Sequence, residues 1–312
     1  MVIGLDAGGT KLLGASLGDD LELGPRVRHT WAGEDREATL EVIARAVEDI
    51  REQAGGADAV GLGVPSLVDW AAGVSRWSNH LPLDDVPLRE LMSDRLGLPV
   101  VVDNDGNAAV LAEHREGAAR GCENAVFLAM GTGIGGGLVL DGRVYRGAHG
   151  YAGEFGHLVV DHDGVDCPGA CPGRGCLEAL ASGRAIGVAG ERAARDAPDS
   201  ALGRRLAESG AVLGQAVTEL AHDGDDVARD VLADVGRRLG AGLTGIVNAL
   251  DPEVVVIGGG AVAAGDLLLD PVREVVGARA LPPVARGVEI APARFGEEAG
   301  LLGAGLLARE LL

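Results

Sequence analysis

The feature that most constrains the fold is a pattern that occurs twice. Val2-Ile3-Gly4-Leu5 reads as a short buried strand that ends in the turn Asp6-Ala7-Gly8-Gly9-Thr10-Lys11. A second apolar stretch, Leu12 to Leu17, follows at once. Roughly 125 residues later, Ala125 to Met130 runs into Gly131-Thr132-Gly133-Ile134-Gly135-Gly136-Gly137 and continues as Leu138-Val139-Leu140. Each copy is a strand, a turn holding glycine and threonine, and a strand. The repetition predicts two related halves, each offering one hairpin whose backbone N–H groups can receive an anion. Two other phosphate-binding designs do not fit. No G-x-x-x-x-G-K-[ST] occurs at either turn. Gly131, Gly133 and Gly136 satisfy G-x-G-x-x-G, but a strand follows them where a dinucleotide fold needs a helix.

The remaining elements read as α/β. Leu40, Ile43, Ala44, Val47 and Ile50 recur at helical spacing between Asp35 and Ala54. Ala59 to Val64 reads as a strand stopped by Pro65-Ser66, and Ser78 to Pro82 as a polar loop. Pro99 to Val102 is a third strand, running into Asp103-Asn104-Asp105-Gly106-Asn107, where a helix begins. One Asp or Asn there is ordinary capping. Four polar side chains in five positions, at the strand end where open α/β sheets bind ligands, ask for more. Further on, Val227 to Leu250 keeps a helical period, and Glu253 to Ile257 is a strand ending in Gly258-Gly259-Gly260. A triple glycine lets a flat ring or a phosphate approach the backbone, or simply makes a tight turn. Ala299 to Leu312 reads as a final amphipathic helix.

Three of the four cysteines, Cys167, Cys171 and Cys176, fall within ten positions, after His157. One histidine and three thiolates are a sufficient donor set for a closed tetrahedral zinc site, which builds structure and does not activate water. The intervening loop is rich in glycine and proline and can wrap an ion. Glu154 and Glu178 flank it.

Composition narrows the function. A net charge of −20 opposes nucleic acid and anionic membranes as partners. No apolar run reaches the ~18 residues of a membrane span. Met1 leads straight into Val2-Ile3 with no basic, cleavable leader, so the expected compartment is the cytoplasm. Aromatic residues are only 3%, which leaves Val, Leu, Ala and Ile to form the core. Lys11 is the single lysine among 27 basic residues and sits in the first glycine turn, a weak sign of phosphate contact.

In this order and spacing, six segments resemble the ROK family of sugar kinases, regulators and related proteins. They are Asp6 to Lys11, Asn104 to Ala109, Gly131 to Gly137, Gly153-Glu154-Phe155-Gly156-His157, Gly175-Cys176-Leu177-Glu178, and Ile257 to Gly260. The resemblance implies the actin/hexokinase-like ATPase fold, built of duplicated RNase H-like domains, with a zinc-binding loop in the larger domain. Residues 1–112 with the helix at about 299–312 would form a small α/β domain, and 113–298 a large one. The implied reaction is transfer of the ATP γ-phosphoryl group to O6 of a hexose, with glucose expected first and other hexoses or N-acetylhexosamines as alternatives. The family pattern makes Asp105 the general base. Asn104, Asp105, Glu154, His157 and Glu178 would bind the sugar. Asp6 would hold Mg²⁺, and Gly8, Gly9, Thr10 and Lys11 with Gly131, Thr132 and Gly133 would receive the phosphates. Gly258, Gly259 and Gly260 would lie against the adenosine. His157, Cys167, Cys171 and Cys176 would hold structural Zn²⁺, and a homodimer is expected.

The sequence departs from the common family pattern in four places. Cys167 to Cys171 is C-x3-C where C-x-C is usual, which leaves His162, Asp163 or Asp166 as alternative donors. Asp103 stands where Glu is common, Ser66 where Gly often follows the proline, and His80 where Asn is frequent. The last two bear on sugar identity. A sugar-responsive repressor from the same family would need an N-terminal helix-turn-helix, and only five residues precede Asp6. A dinucleotide oxidoreductase built on Gly258-x-Gly260 would need a further βαβ unit after it. Polyphosphate-using relatives generally lack the cysteine loop, which favours ATP.

Overall fold

The computed structural model describes residues 1–18, 21–31, 35–169 and 171–312; Ala170 of the cysteine loop lies outside them. The chain opens with β1 (Val2–Ala7), β2 (Lys11–Leu17), β3 (Leu23–Thr30), α1 (Arg36–Ala54), β4 (Ala59–Val64), β5 (Ser66–Asp69), β6 (Val74–Ser78), α2 (Leu88–Leu96), β7 (Val100–Asn104) and α3 (Asp105–Glu116). It continues with β8 (Ala125–Met130), β9 (Ile134–Leu140), β10 (Arg143–Val144), α4 (Leu177–Ala181), α5 (Gly183–Asp196), α6 (Ala201–Ser209), α7 (Gly214–His222) and α8 (Asp226–Leu250). The last elements are β11 (Val254–Gly258), α9 (Asp266–Arg279), α10 (Pro282–Gly287), β12 (Glu289–Pro292) and α11 (Ala299–Arg309).

The expected duplication is visible in the strand order. One sheet runs β3-β2-β1-β4-β7 and the other β10-β9-β8-β11-β12. In each, a hairpin supplies antiparallel strands and the next two strands join in parallel. The parallel strands are buried along their length, as in Ala59–Val64 and Val254–Gly258, because helices cover both faces of such strands. Several elements were not expected from the sequence, β3 and the β5–β6 hairpin among them. Proline 65 does not end regular structure: β5 starts at Ser66 and pairs with β6 as a separate hairpin. The strand β3 alternates half-buried and exposed residues at the sheet edge, so it has no apolar run to announce it.

By internal contacts the described chain forms two compact units. The first comprises Met1–Gly121, Gly137–Gly153 and Glu297–Leu312, the second Cys122–Gly136 and Glu154–Gly296. Compared with a division at 112, the first unit thus runs on past α3 and also takes in Gly137–Gly153.

Within the first unit, Leu40, Ile43, Val47 and Ile50 of α1 join Ile3, Leu5, Val60, Leu62 and Val102 in one apolar cluster. Asp35 caps α1 by accepting the Ala38 N–H at 2.8 Å, and Gly55 ends it in the left-handed region. The helix α11 packs still more closely. A Cβ at Gly4 would strike the Leu301 carbonyl, one at Gly61 the Ala304 carbonyl, and one at Gly303 the Ala108 carbonyl. Glycines on both sides therefore bring α11 backbone-close to β1, β4 and α3. In the second unit α8 does the same with α9, where a Cβ at Gly240 would lie 2.8 Å from Val275 Cβ. Among the described residues no helix is long and apolar enough to cross a membrane.

Candidate functional site

The first unit gathers its site at one end of the first sheet. The strands β1, β4 and β7 lie side by side, with Asp6 opposite Gly63 and Gly63 opposite Asp103. Asp105 follows at the first position of α3, and Gly63 admits it closely, 3.5 Å separating the Asp105 Cα from a Cβ built at Gly63. Asn104 is the N-cap: its Oδ1 accepts from Gly106 N at 2.8 Å and Asn107 N at 3.2 Å. Its Nδ2 donates to the Ser66 carbonyl at 3.3 Å. The Asp105 Oδ1 accepts from Gly106 N at 2.8 Å.

Both carboxylates at this end are partly buried and hold protons more tightly than usual. Burial pushes Asp105 up to about 6, against the backbone N–H of Gly106 and the charge of His80. Burial, and next the negative charge of Asp105, push Asp6 up to about 7, with Lys11 opposing. Burial is the largest cause for both, and a poorly solvated acidic strand end favours a cation beside it.

Four residues outside the expected site set shape this end. Trp31 Nε1 donates to the Gly8 carbonyl at 2.7 Å and so fixes the first glycine turn from behind. The ring of His80 lies beside Gly9, 2.9 Å from the Cβ position there. Gly300, at the start of α11, has the Asp6 carboxylate against its Cα face; a Cβ would sit 2.6 Å from Asp6 Oδ2. Arg146 places Nε and Nη2 each 2.8 Å from Oδ2 of the buried Asp103. Lys11, at the start of β2, pairs with Glu297 at 2.7 Å, and Thr10 is exposed on the turn. Only His80 had a prior signal, as a departure from a family pattern. The other contacts join residues distant in sequence.

The second unit holds a different group. His157, Cys167, Cys171 and Cys176 bring their donor atoms within 4.8 Å of one another. Cys167 Sγ lies 3.6 Å from His157 Nδ1, and Cys171 Sγ 3.7 Å from Cys176 Sγ. A tetrahedral zinc with Zn–S near 2.3 Å has donor–donor edges of about 3.8 Å, so the set fits the ion. The longer C-x3-C spacer still delivers Cys167. Asp166 turns instead to Arg174 at 3.1 Å, and neither His162 nor Asp163 enters the cluster. Backbone bonds frame the loop: Cys167 N donates to Gly173 O at 2.9 Å and Gly175 N to Val165 O at 2.7 Å. Gly175 has φ +63°, and a side chain there would strike the Asp161 carbonyl. Burial pushes the Cys167 thiol up to about 12, so binding a cation there releases protons.

The loop also orders two carboxylates. The His157 ring turns Nδ1 toward Cys167 and Nε2 toward Glu154, 4.0 Å away. Cys176 stands at the N-cap position of α4, and Glu178 sits in its first turn, buried, with Oε2 accepting from Ile134 N at 2.8 Å. Near it, Gly131 N donates to Gly133 O at 3.0 Å, and Gly183 N donates to Gly131 O at 2.9 Å. Gly258 pairs with Ala129 at the end of β8, and Gly259, at φ +80°, crosses Met130 so closely that only glycine fits. The second glycine turn and the triple glycine are therefore neighbours on this unit.

With two glycine–threonine hairpins, an acidic strand end and a Cys3His cluster located, comparison with known proteins is decisive on family. The family model described as ROK family matches residues 2–311. The chain belongs to the ROK family. The glucokinase of Thermotoga maritima is 36% identical, covering 99% of this chain and 97% of the relative. The crystal structure of a ROK family glucokinase from Streptomyces griseus, in complex with glucose and AMPPNP, superposes with a TM-score of 0.88 at 33% identity, covering 99% of each chain. A putative xylose repressor from Caldicellulosiruptor sp. is 32% identical over 87% of this chain and 68% of its own length. The fold is that of the actin/hexokinase-like ROK sugar kinases, as the six sequence segments implied.

Proposed function

We propose that this protein is an ATP-dependent glucokinase, transferring the γ-phosphoryl group of ATP to O6 of glucose. The observation that carries it is Asp105, a proton-holding carboxylate beside Asp6 at one sheet end, in a chain similar to glucokinases from end to end. Asp105 accepts the O6 proton as O6 attacks the γ-phosphorus, and the bond to the bridging oxygen breaks to release ADP. Asn104, whose Oδ1 is spent on the cap, turns its Nδ2 to the sugar. Glu154, His157 and Glu178 bind further hydroxyls; each buried hydroxyl left unpaired costs ~1–3 kcal/mol. Gly8, Gly9, Thr10 and Lys11, with Gly131, Thr132 and Gly133, receive phosphates, and Gly258–Gly260 receives the adenosine.

Two cations complete this reading. Asp6 holds Mg²⁺, which when bound neutralises charge on the phosphates. His157, Cys167, Cys171 and Cys176 hold Zn²⁺, which when bound fixes the loop and leaves His157 Nε2 for the sugar. A homodimer, expected from the family, is checked by the mass in solution.

The deciding assay follows ADP release with glucose, mannose, fructose, allose, N-acetylglucosamine and N-acetylmannosamine, using ATP and polyphosphate as donors. Glucose with ATP is expected to give the highest kcat/KM. No phosphorylation of any sugar would overturn the kinase reading. His80 beside Gly9, and the buried Ser66 hydroxyl, which has no hydrogen-bond partner among the described residues, are places where this chain can prefer another hexose.

The Gly300 contact gives a separate test. Gly300→Ala forces a methyl group onto the Asp6 carboxylate. The expected result is a fall in kcat of at least tenfold and a higher Mg²⁺ requirement, with circular dichroism unchanged. A variant with normal Mg²⁺ dependence would remove Asp6 from the cation site.

A further inference from the structure

We propose that Arg146 is a positioning residue for phosphoryl transfer, acting through Asp103 on the junction that carries Asn104 and Asp105. The inference rests on Asp105 being the base. Asp103 is 1% exposed and is the last residue before that junction. Four donors converge on it. Oδ1 accepts from Asn104 N at 2.8 Å and from Asn107 Nδ2 at 3.0 Å. Oδ2 accepts from Arg146 Nε and Nη2, both at 2.8 Å. Two of these donors belong to residues on either side of Asp105, so the carboxylate fixes the base from both flanks.

Arg146 is itself held from three directions. Its guanidinium carbon lies 3.8 Å from the centroid of the Trp70 ring. Its Nη1 reaches the Val144 carbonyl at 3.5 Å, and its own carbonyl accepts from Ala152 N at 3.1 Å. The last bond closes the start of a segment with glycines at positive φ at 147, 150 and 153, which leads along the chain to Glu154. One side chain therefore ties the base-bearing strand to the origin of the segment that delivers a sugar-binding carboxylate.

A buried ion pair is a poor device for stability alone, because replacing both partners is often neutral while removing one is costly. That asymmetry supplies the test. Arg146→Met, Arg146→Lys and the double variant Asp103→Asn/Arg146→Met are compared with Asp105→Asn in the glucose assay and by thermal melting. Arg146→Met is expected to lower Tm and to cut kcat at least tenfold, with KM for ATP within twofold of wild type. Arg146→Lys recovers part of Tm but less than half of kcat, since an ammonium cannot place two N–H groups on one oxygen while lying flat on Trp70. The double variant recovers Tm to near wild type, while kcat stays at least tenfold low. Recovery of kcat together with Tm in the double variant would make Arg146 a stabilising residue only. Should Arg146→Met fail to fold, the lysine and double variants decide the question alone. Turnover retained by Asp105→Asn would overturn the base assignment; turnover lost there but normal in Arg146→Met and the double variant overturns this inference and leaves the base in place.

Discussion

Asp105→Asn is expected to bind glucose with near-normal affinity and to retain no more than a few per cent of wild-type turnover. The amide keeps the shape and the acceptor toward Gly106 N but cannot take the O6 proton. Calorimetric titration with glucose and the coupled ADP assay read the two halves of this statement. Turnover above a few per cent assigns the base elsewhere. The wild type carries a matching acid limb: with Asp105 near 6, kcat/KM falls as pH drops below about 6, because the protonated acid is no base. The same shift has a sign for stability. The native acid binds its proton more tightly than an unfolded aspartate, near 3.9, so stability is lost as pH rises from about 4 to 6 and stays low above. The asparagine variant escapes that loss. In the absence of nucleotide and Mg²⁺ it should therefore melt a few degrees higher than wild type at pH 8, an active-site residue trading stability for function.

Removal of the Cys3His cluster should have the next largest effect. Elemental analysis of the purified protein is expected to find about one zinc per chain, held by His157, Cys167, Cys171 and Cys176. Cys176→Ser should lose that zinc, melt lower, and raise KM for glucose at least tenfold with little change in KM for ATP. The reason is local. Cys176 stands at the N-cap position of α4, Glu178 stands two residues later, and the His157 ring faces the same cluster, so sugar contacts loosen together. Protein isolated without zinc and with an unaltered glucose KM would show that hydrogen bonds alone hold the loop.

What the sequence revealed and what it hid follow from the range of the contacts. The hairpins at Asp6–Lys11 and Gly131–Gly137 were legible because strand, glycine turn and strand are written within one short stretch. The Asn104-Asp105 junction and the Cys cluster were legible for the same reason, helped by family pattern. Arg146 was not. It is one of 26 arginines, and its partner Asp103 lies more than forty residues away. Trp31 behind Gly8 and Gly300 against Asp6 also join residues far apart in the sequence. Glycines 4, 61 and 303 are chemically indistinguishable from the other members of a set of 51; only the close backbone packing of α11 on β1, β4 and α3 shows why a side chain is forbidden there. Strand β5 was hidden by a proline that reads as a stop yet stands just ahead of a new strand.

The seat of α11 also sets an order of events during synthesis. Gly4 and the Leu301 carbonyl that covers it are almost three hundred residues apart. At ~5–20 residues per second, ribosomes need roughly fifteen seconds to a minute between making the two. Every residue of the second unit, from Cys122 to Gly136 and Glu154 to Gly296, is made inside that interval. The second unit is thus fully synthesised before the first can be completed by α11. Until then the strip of β1 and β4 that α11 covers stays open.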